Sequence, residues 1–325
     1  MLPYPTLDTI QVAGKTVFVR VDFNVSLGEE GEIRDDARLT AAIPTITYLL
    51  EKGAKVVLAS HLGRPQGKAD KKLSLLPVAK RLAELINKEI ILPDDCVGME
   101  VKRLISDHRE NTVYLLENLR FHPEEEKNDE TFAKHLAELA QVYVTDAFGS
   151  LHRAHASTVG MVKHFTAKAI GRLVQKEVNF LHKLLHDPQK PYVVILGGAK
   201  VSDKIGVCEN LLNVANTILI GGGMAYTFLQ ALGHDIGLSL CEQSKINLAR
   251  KLLERARVKG VRVLLPVDHI VGETFADNTP QRVLKNEDDW QNGLGLDIGP
   301  ETIDKFSQVI QNAGHSFLEW SHGCV

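Results

Sequence analysis

Residues 173–185, LVQKEVNFLHKLL, decide how the chain is organised. Leu173, Val174, Val178, Leu181, Leu184 and Leu185 recur at helical spacing, which gives the segment one apolar face. Pro188 stops it. Short β-branched runs lie on both sides. Before it stand 15–22 (KTVFVRVD), 55–60 (KVVLAS), 112–117 (TVYLLE) and 142–146 (VYVTD). After it stand 192–197 (YVVILG), 217–221 (TILIG) and 261–266 (VRVLLP). Helical patterns separate them, for example at 75–86 and 130–139. Apolar runs without strict alternation suit parallel strands covered on both faces. Strands alternating with helices argue for βαβ units. The expected fold is α/β, with two doubly wound parallel-sheet (Rossmann-like) domains over 1–170 and 189–325 and a joining helix over 171–188.

The chain's 325 residues suit about two domains, on a prior of roughly 100–200 residues each. A formal net charge of -3 gives no general attraction for nucleic acid or anionic lipid, so a positive site must be local. Cys96, Cys208, Cys241 and Cys324 form no CxxC pair, which points to a reduced, cytoplasmic compartment. The opening MLPYPTLDTI does not read as a signal peptide, and no apolar run is long enough to span a bilayer.

In open parallel sheets, ligands bind beyond the carboxyl ends of the strands. In the first half those ends carry Asp22-Phe23-Asn24 with Arg38, then His61-Leu62-Gly63-Arg64, then Arg120, then His152-Arg153-Ala154-His155. Arg38, His61, Arg64, Arg120 and Arg153 are therefore expected to converge on one anion. The arginine fork suits bidentate contact with phosphate and carboxylate. Any one of them alone reads better as a solvated surface charge; a set at repeated strand ends favours a site.

The second half differs. One strand runs into Gly197-Gly198-Ala199-Lys200 and on to Lys204, the next into Gly221-Gly222-Gly223. Glycines after strands admit a ligand to the backbone, and a helix N-terminus behind them favours phosphate. Two lysines there suggest a polyphosphate site, against the plainer reading of tight turns with surface lysines. Neither a P-loop nor a placed GxGxxG occurs. His182 and His186 are four apart on the joining helix without an evident third ligand, so no metal site is expected.

RVDFNV, SHLGRP, LLENLRFHPEEEKND, VTDAFGSLHRAHAST, ILGGAKVSDKI, IGGGMAYTFL, LPVD and GLDIGPET resemble, in order and spacing, the phosphoglycerate kinases, from the first strand to about Ala313. The resemblance implies a 3-phosphoglycerate site at Asp22, Phe23, Asn24, Arg38, His61, Leu62, Gly63, Arg64, Arg120 and Arg153. It implies a nucleotide pocket at Gly197, Gly198, Lys204, Gly222 and Leu296. It makes Lys200 the lysine that steadies the transferring phosphoryl group, beside Arg38. It further implies a cytoplasmic monomer that closes about a hinge, with ADP or ATP bound as the Mg2+ complex. The alternative is a non-catalytic anion- or nucleotide-binding remnant of the same fold.

From Gly314 onward GHSFLEWSHGCV departs from the family's pattern, which reads approximately ATVFWNGPMGV. One codon series for this stretch, read a base later, gives that string. The expectation is a single-nucleotide insertion near the Ala313 codon and an incomplete second domain. The family's metal-contacting aspartate is then missing from this chain, and turnover is expected to be weak or absent.

Overall fold

The computed structural model describes residues 4–28, 31–107, 112–202, 204–276 and 278–320. Asp203 and residues 321–325 of the closing stretch, Cys324 among them, lie outside the described residues. The chain divides into two compact units, Met1–Phe180 and Leu181–Val325.

The first unit runs β1 (Thr16–Val21), α1 (Ala37–Glu51), β2 (Lys55–Ala59), α2 (Leu76–Ile86), β3 (Ile90–Ile91), α3 (Met99–Ser106), β4 (Val113–Leu115), α4 (Pro123–Glu126), α5 (Glu130–Ala137), β5 (Val142–Asp146) and β6 (Ala167–Ile170). The helix α6 (Arg172–His186) follows, and the division between units falls within it. The sheet order is β3-β4-β2-β1-β5-β6, with every pair parallel. Val17, Val19 and Val21 of β1 enter one apolar core and Phe18 enters the other. Helices thus cover both faces, as a sheet of near-continuous apolar strands requires. The chain leaves β1 toward β2 on one side and returns to it through β5 on the other. That change of direction is where such sheets bind ligands.

The second unit runs β7 (Tyr192–Gly197), α7 (Ile205–Leu211), β8 (Thr217–Ile220), α8 (Met224–Leu232), α9 (Ile246–Val258), β9 (Arg262–Leu264), β10 (Asp268–Gly272), β11 (Gln281–Lys285), β12 (Leu294–Ile298), α10 (Pro300–Gln311) and β13 (His315–Trp320). A parallel sheet has the order β13-β7-β8-β9. A separate antiparallel sheet has the order β11-β10-β12.

Sequence reading finds β1, β2, β4, β5, β7, β8 and β9 but neither the parallel edge strands β3, β6 and β13 nor this second sheet. QRVLK of β11 is mostly exposed and mixes charge with apolar residues, and LGLDI of β12 is broken by a glycine. The end of the second unit also differs from expectation. His315–Trp320 pairs in parallel register with β7, with Phe317 opposite Val194 and Glu319 opposite Leu196. Phe317 packs on the core beside Val194, while Leu318 on the other face is 61% exposed.

Candidate active site

Four strand ends of the first unit meet around two buried basic residues. Arg20 sits one residue from the end of β1 and is 1% exposed. Its Nε donates to Ser157 Oγ at 2.8 Å and its Nη2 lies 3.1 Å from His61 Nδ1. Ser157 in turn donates from N and Oγ to the Glu125 carboxylate at 2.9 and 2.5 Å. Glu125 is fully buried, and this network accounts for its charge. His61 is 6% exposed. Burial first, then the positive charges of Arg20, Arg120, Arg153 and His155, pushes its imidazole down to about 2. The same set identifies the basic groups gathered at this point.

A second chain of bonds ties the loops together. Arg38 pairs with Asp22 at 2.6 Å. The other Asp22 oxygen accepts from Asn24 N at 3.2 Å, and Asn24 Oδ1 accepts from Gly63 N at 2.8 Å. Arg120, 4% exposed, donates to the Gly63 carbonyl at 2.8 Å and pairs with Glu126 at 3.2 Å. Gly63 has φ +62°, the left-handed region that favours glycine. Asn118 holds the same turn through Leu62 N and the Leu62 and Leu73 carbonyls. Phe23 and Leu62 are core residues, and both backbone N–H groups are taken, by Ser60 Oγ and Asn118 Oδ1. Arg64 is exposed and makes no ion pair with any described residue; Arg153 is half-buried. The sequence-named basic groups therefore share one end of the sheet, with Phe23 and Leu62 beneath them.

In the second unit the glycine turns after β7 and β8 touch. Gly198 (φ +136°) accepts from Met224 N at 2.8 Å, and a Cβ on Gly223 would stand 3.3 Å from Ala199 Cα. Met224 opens α8, so one N–H expected to face phosphate is already engaged. Lys200 is exposed, whereas Lys204 is 7% exposed and forms an ion pair with Glu319 of β13. Leu296 lies on β12, and its Cδ1 would stand 2.9 Å from a Cβ on Gly272. The segment from Leu238 to Leu240 joins these parts: Ser239 Oγ accepts from Gly295 N at 2.9 Å, and Leu240 Cβ would lie 3.6 Å from a Cβ on Gly223.

A family model described as phosphoglycerate kinase matches residues 7–325. The chain belongs to this family. It is similar to the phosphoglycerate kinase of Anaeromyxobacter dehalogenans, 56% identical over 97% of this chain and 80% of the relative. It is also similar to the solved phosphoglycerate kinases of Coxiella burnetii and Pyrococcus horikoshii. The first has a TM-score of 0.81 and 36% identity over 99% of this chain and 81% of that one. The second has a TM-score of 0.78 and 30% identity over 97% and 80%. The phosphoglycerate kinase match extends past Ala313, where sequence reading expected it to stop.

Sequence reading missed Arg20, Ser157, Asn118 and Glu125, the buried frame beneath the candidate anion site. Arg20 carries a visible signal, a charge inside the apolar run KTVFVRV. It also missed Leu240, 51% exposed beside the second glycine turn, and Leu238, 63% exposed with its N–H on the Gly293 carbonyl. His182 and His186 stack ring on ring at 4.0 Å on α6. Among the described residues Asp95, Cys96 and His122 bring ligand atoms within 4.8 Å of one another, but burial pushes the Cys96 thiol well up and Asp95 already holds His122 at 2.6 Å. No described helix is long and apolar enough to cross a membrane.

Proposed function

We infer that this chain moves a phosphoryl group between 1,3-bisphosphoglycerate and ADP, giving 3-phosphoglycerate and ATP. The convergence of Arg20, Arg120, Arg153 and His155 on His61 carries the reading, because it makes one strongly positive end of the first sheet. Asp22, Asn24, Arg38, Gly63, Arg64, Arg120 and Arg153 hold the acidic substrate there, with Phe23 and Leu62 setting the loops. His61 stays neutral and serves as a hydrogen-bonding group. The nucleotide lies over the touching glycine turns at Gly197, Gly198 and Gly222, with Lys204 on its phosphates. Leu296 and the exposed Leu238 and Leu240 supply the apolar contacts that a purine needs.

The acceptor in the reverse direction is a carboxylate, already ionised at neutral pH. It needs no general base. In the forward direction the acyl-phosphate P–O bond breaks as a β-phosphate oxygen of ADP bonds to phosphorus. Catalysis reduces to in-line positioning and to neutralising charge on the transferring oxygens. Arg38 and Lys200 do this from the two halves of the chain, once the units close about α6. Magnesium travels with the nucleotide as part of the substrate. Glu319 Oε2, buried beside Lys204 without a hydrogen-bond partner among the described residues, is a carboxylate oxygen suited to face it. The protein acts as a cytoplasmic monomer without nucleic-acid or membrane partners. Coupled ATP formation from 1,3-bisphosphoglycerate tests the reading: binding of both substrates without turnover would instead support a non-catalytic remnant.

A further inference from the structure

Lys204 meets a counter-charge inside its own unit. Its ammonium pairs with Glu319, at the carboxyl-terminal end of β13, where that strand runs parallel to β7. Lys204 is 7% exposed; the Glu319 side chain is 30% exposed, yet its other oxygen, Oε2, is itself buried without a hydrogen-bond partner among the described residues. A buried carboxylate oxygen without a donor is costly, and a cation is the species that relieves it. The low exposure of Lys204 limits the water that would screen this carboxylate from a phosphate brought to the lysine.

We propose that Glu319 makes the nucleotide site discriminate between metal-loaded and metal-free nucleotide. The proposal rests on the reading that Lys204 contacts nucleotide phosphate. Metal-free ADP must break the Lys204–Glu319 pair and then sit against the freed carboxylate. ADP carrying a divalent cation replaces both halves of the pair, with phosphate on Lys204 and the cation facing Glu319. Glu319 is thus a positioning residue acting through Lys204 and the nucleotide's cation.

The test measures ADP binding calorimetrically, once in EDTA and once in excess Mg2+. In Glu319→Gln, metal-free ADP should bind about tenfold tighter while the magnesium complex binds no tighter, so the preference for the complex shrinks. Glu319→Asp, which keeps the charge, should keep the preference. If Glu319→Gln does not fold, Glu319→Asn is the second neutral variant and carries the same expectation. A preference that is unchanged in the neutral variant, or lost equally in Glu319→Asp, overturns the proposal. Lys204→Met separates the two levels. If it weakens both forms of ADP while the neutral variant leaves the preference intact, the discrimination by Glu319 alone is wrong. If it changes neither, Lys204 does not contact nucleotide, and the proposal falls with that reading.

Discussion

The guanidinium of Arg20 lies 3.1 Å from Nδ1 of His61, with both side chains buried. A protonated imidazole there would face a fixed positive charge without water to screen it. Burial first and this guanidinium second therefore keep His61 neutral, with a measurable consequence for folding.

His61 is held at about 2 in the folded chain, against about 6.5 when unfolded. Below about pH 6.5 the unfolded chain takes up a proton that the folded chain refuses. Stability is therefore fully present above that value and falls as pH falls toward 2, by up to about 1.4 kcal/mol per pH unit. Burial, opposed in part by Glu125, also depresses His155 and adds to the trend. His61→Gln removes the first contribution. Urea unfolding at about pH 7 and about pH 5 should show a smaller drop for the variant than for the unmodified chain. An equal drop would mean that His61 is not the group responsible.

Arg64 gives the cleanest probe of the anion site. It is exposed and makes no ion pair with any described residue, so its removal leaves the bonded frame intact. Arg64→Ala should weaken 3-phosphoglycerate binding about 10- to 150-fold, the worth of a charge-assisted bond. ADP affinity should stay nearly constant. Equal losses for both ligands on titration would argue against separate sites.

Ser157 concerns stability as well as binding. It accepts from Arg20 and donates twice to Glu125, with all three side chains buried. Ser157→Ala leaves Arg20 Nε and one Glu125 oxygen short of a partner, which costs about 1–3 kcal/mol. The loss should appear as a lower Tm by circular dichroism. An unchanged Tm would show that water replaces the hydroxyl.

The inner parallel strands and the charged strand ends were legible because their signals are local: β-branched runs, glycine turns, and arginines placed just after them; the edge strands β3, β6 and β13 were not. The frame under the anion site was not. Ser157 and Glu125 meet 32 residues apart in sequence, and Arg20 and Ser157 meet 137 apart. Only the folded sheet brings them together. The same holds for Leu238 and Leu240, which read as ordinary loop residues until Ser239 is seen bonded to Gly295. β10, β11 and β12 lack a clean period: β10 is mostly buried yet opens with Asp268 and His269, β11 is exposed at nearly every position, and a glycine interrupts β12. At β13 the residues differ from the family's pattern, yet Phe317 still fills the core position opposite Val194. Burial of one alternate side chain is what a strand position asks for.

Phosphoryl transfer as proposed requires motion between the units. The proposed anion site draws wholly on residues before α6, and the touching glycine turns lie wholly after it. In-line transfer needs reacting atoms about 3–3.5 Å apart. Transfer between substrates held by separate units calls for the proposed closure, which also keeps water from the acyl phosphate. The start of α6 is firmly held: Arg172 pairs with Asp8 at 2.6 Å and Val174 N donates to Asp146 at 3.1 Å. Bending is therefore expected C-terminal to that anchored turn. Small-angle scattering can follow it with 3-phosphoglycerate and magnesium ADP, a pair that binds without reacting. The radius of gyration should fall most when both are present, because each alone contributes only part of the charge that draws the units together. A radius that stays constant with both ligands saturating would rule closure out, and Arg38 and Lys200 could not then act on one phosphoryl group.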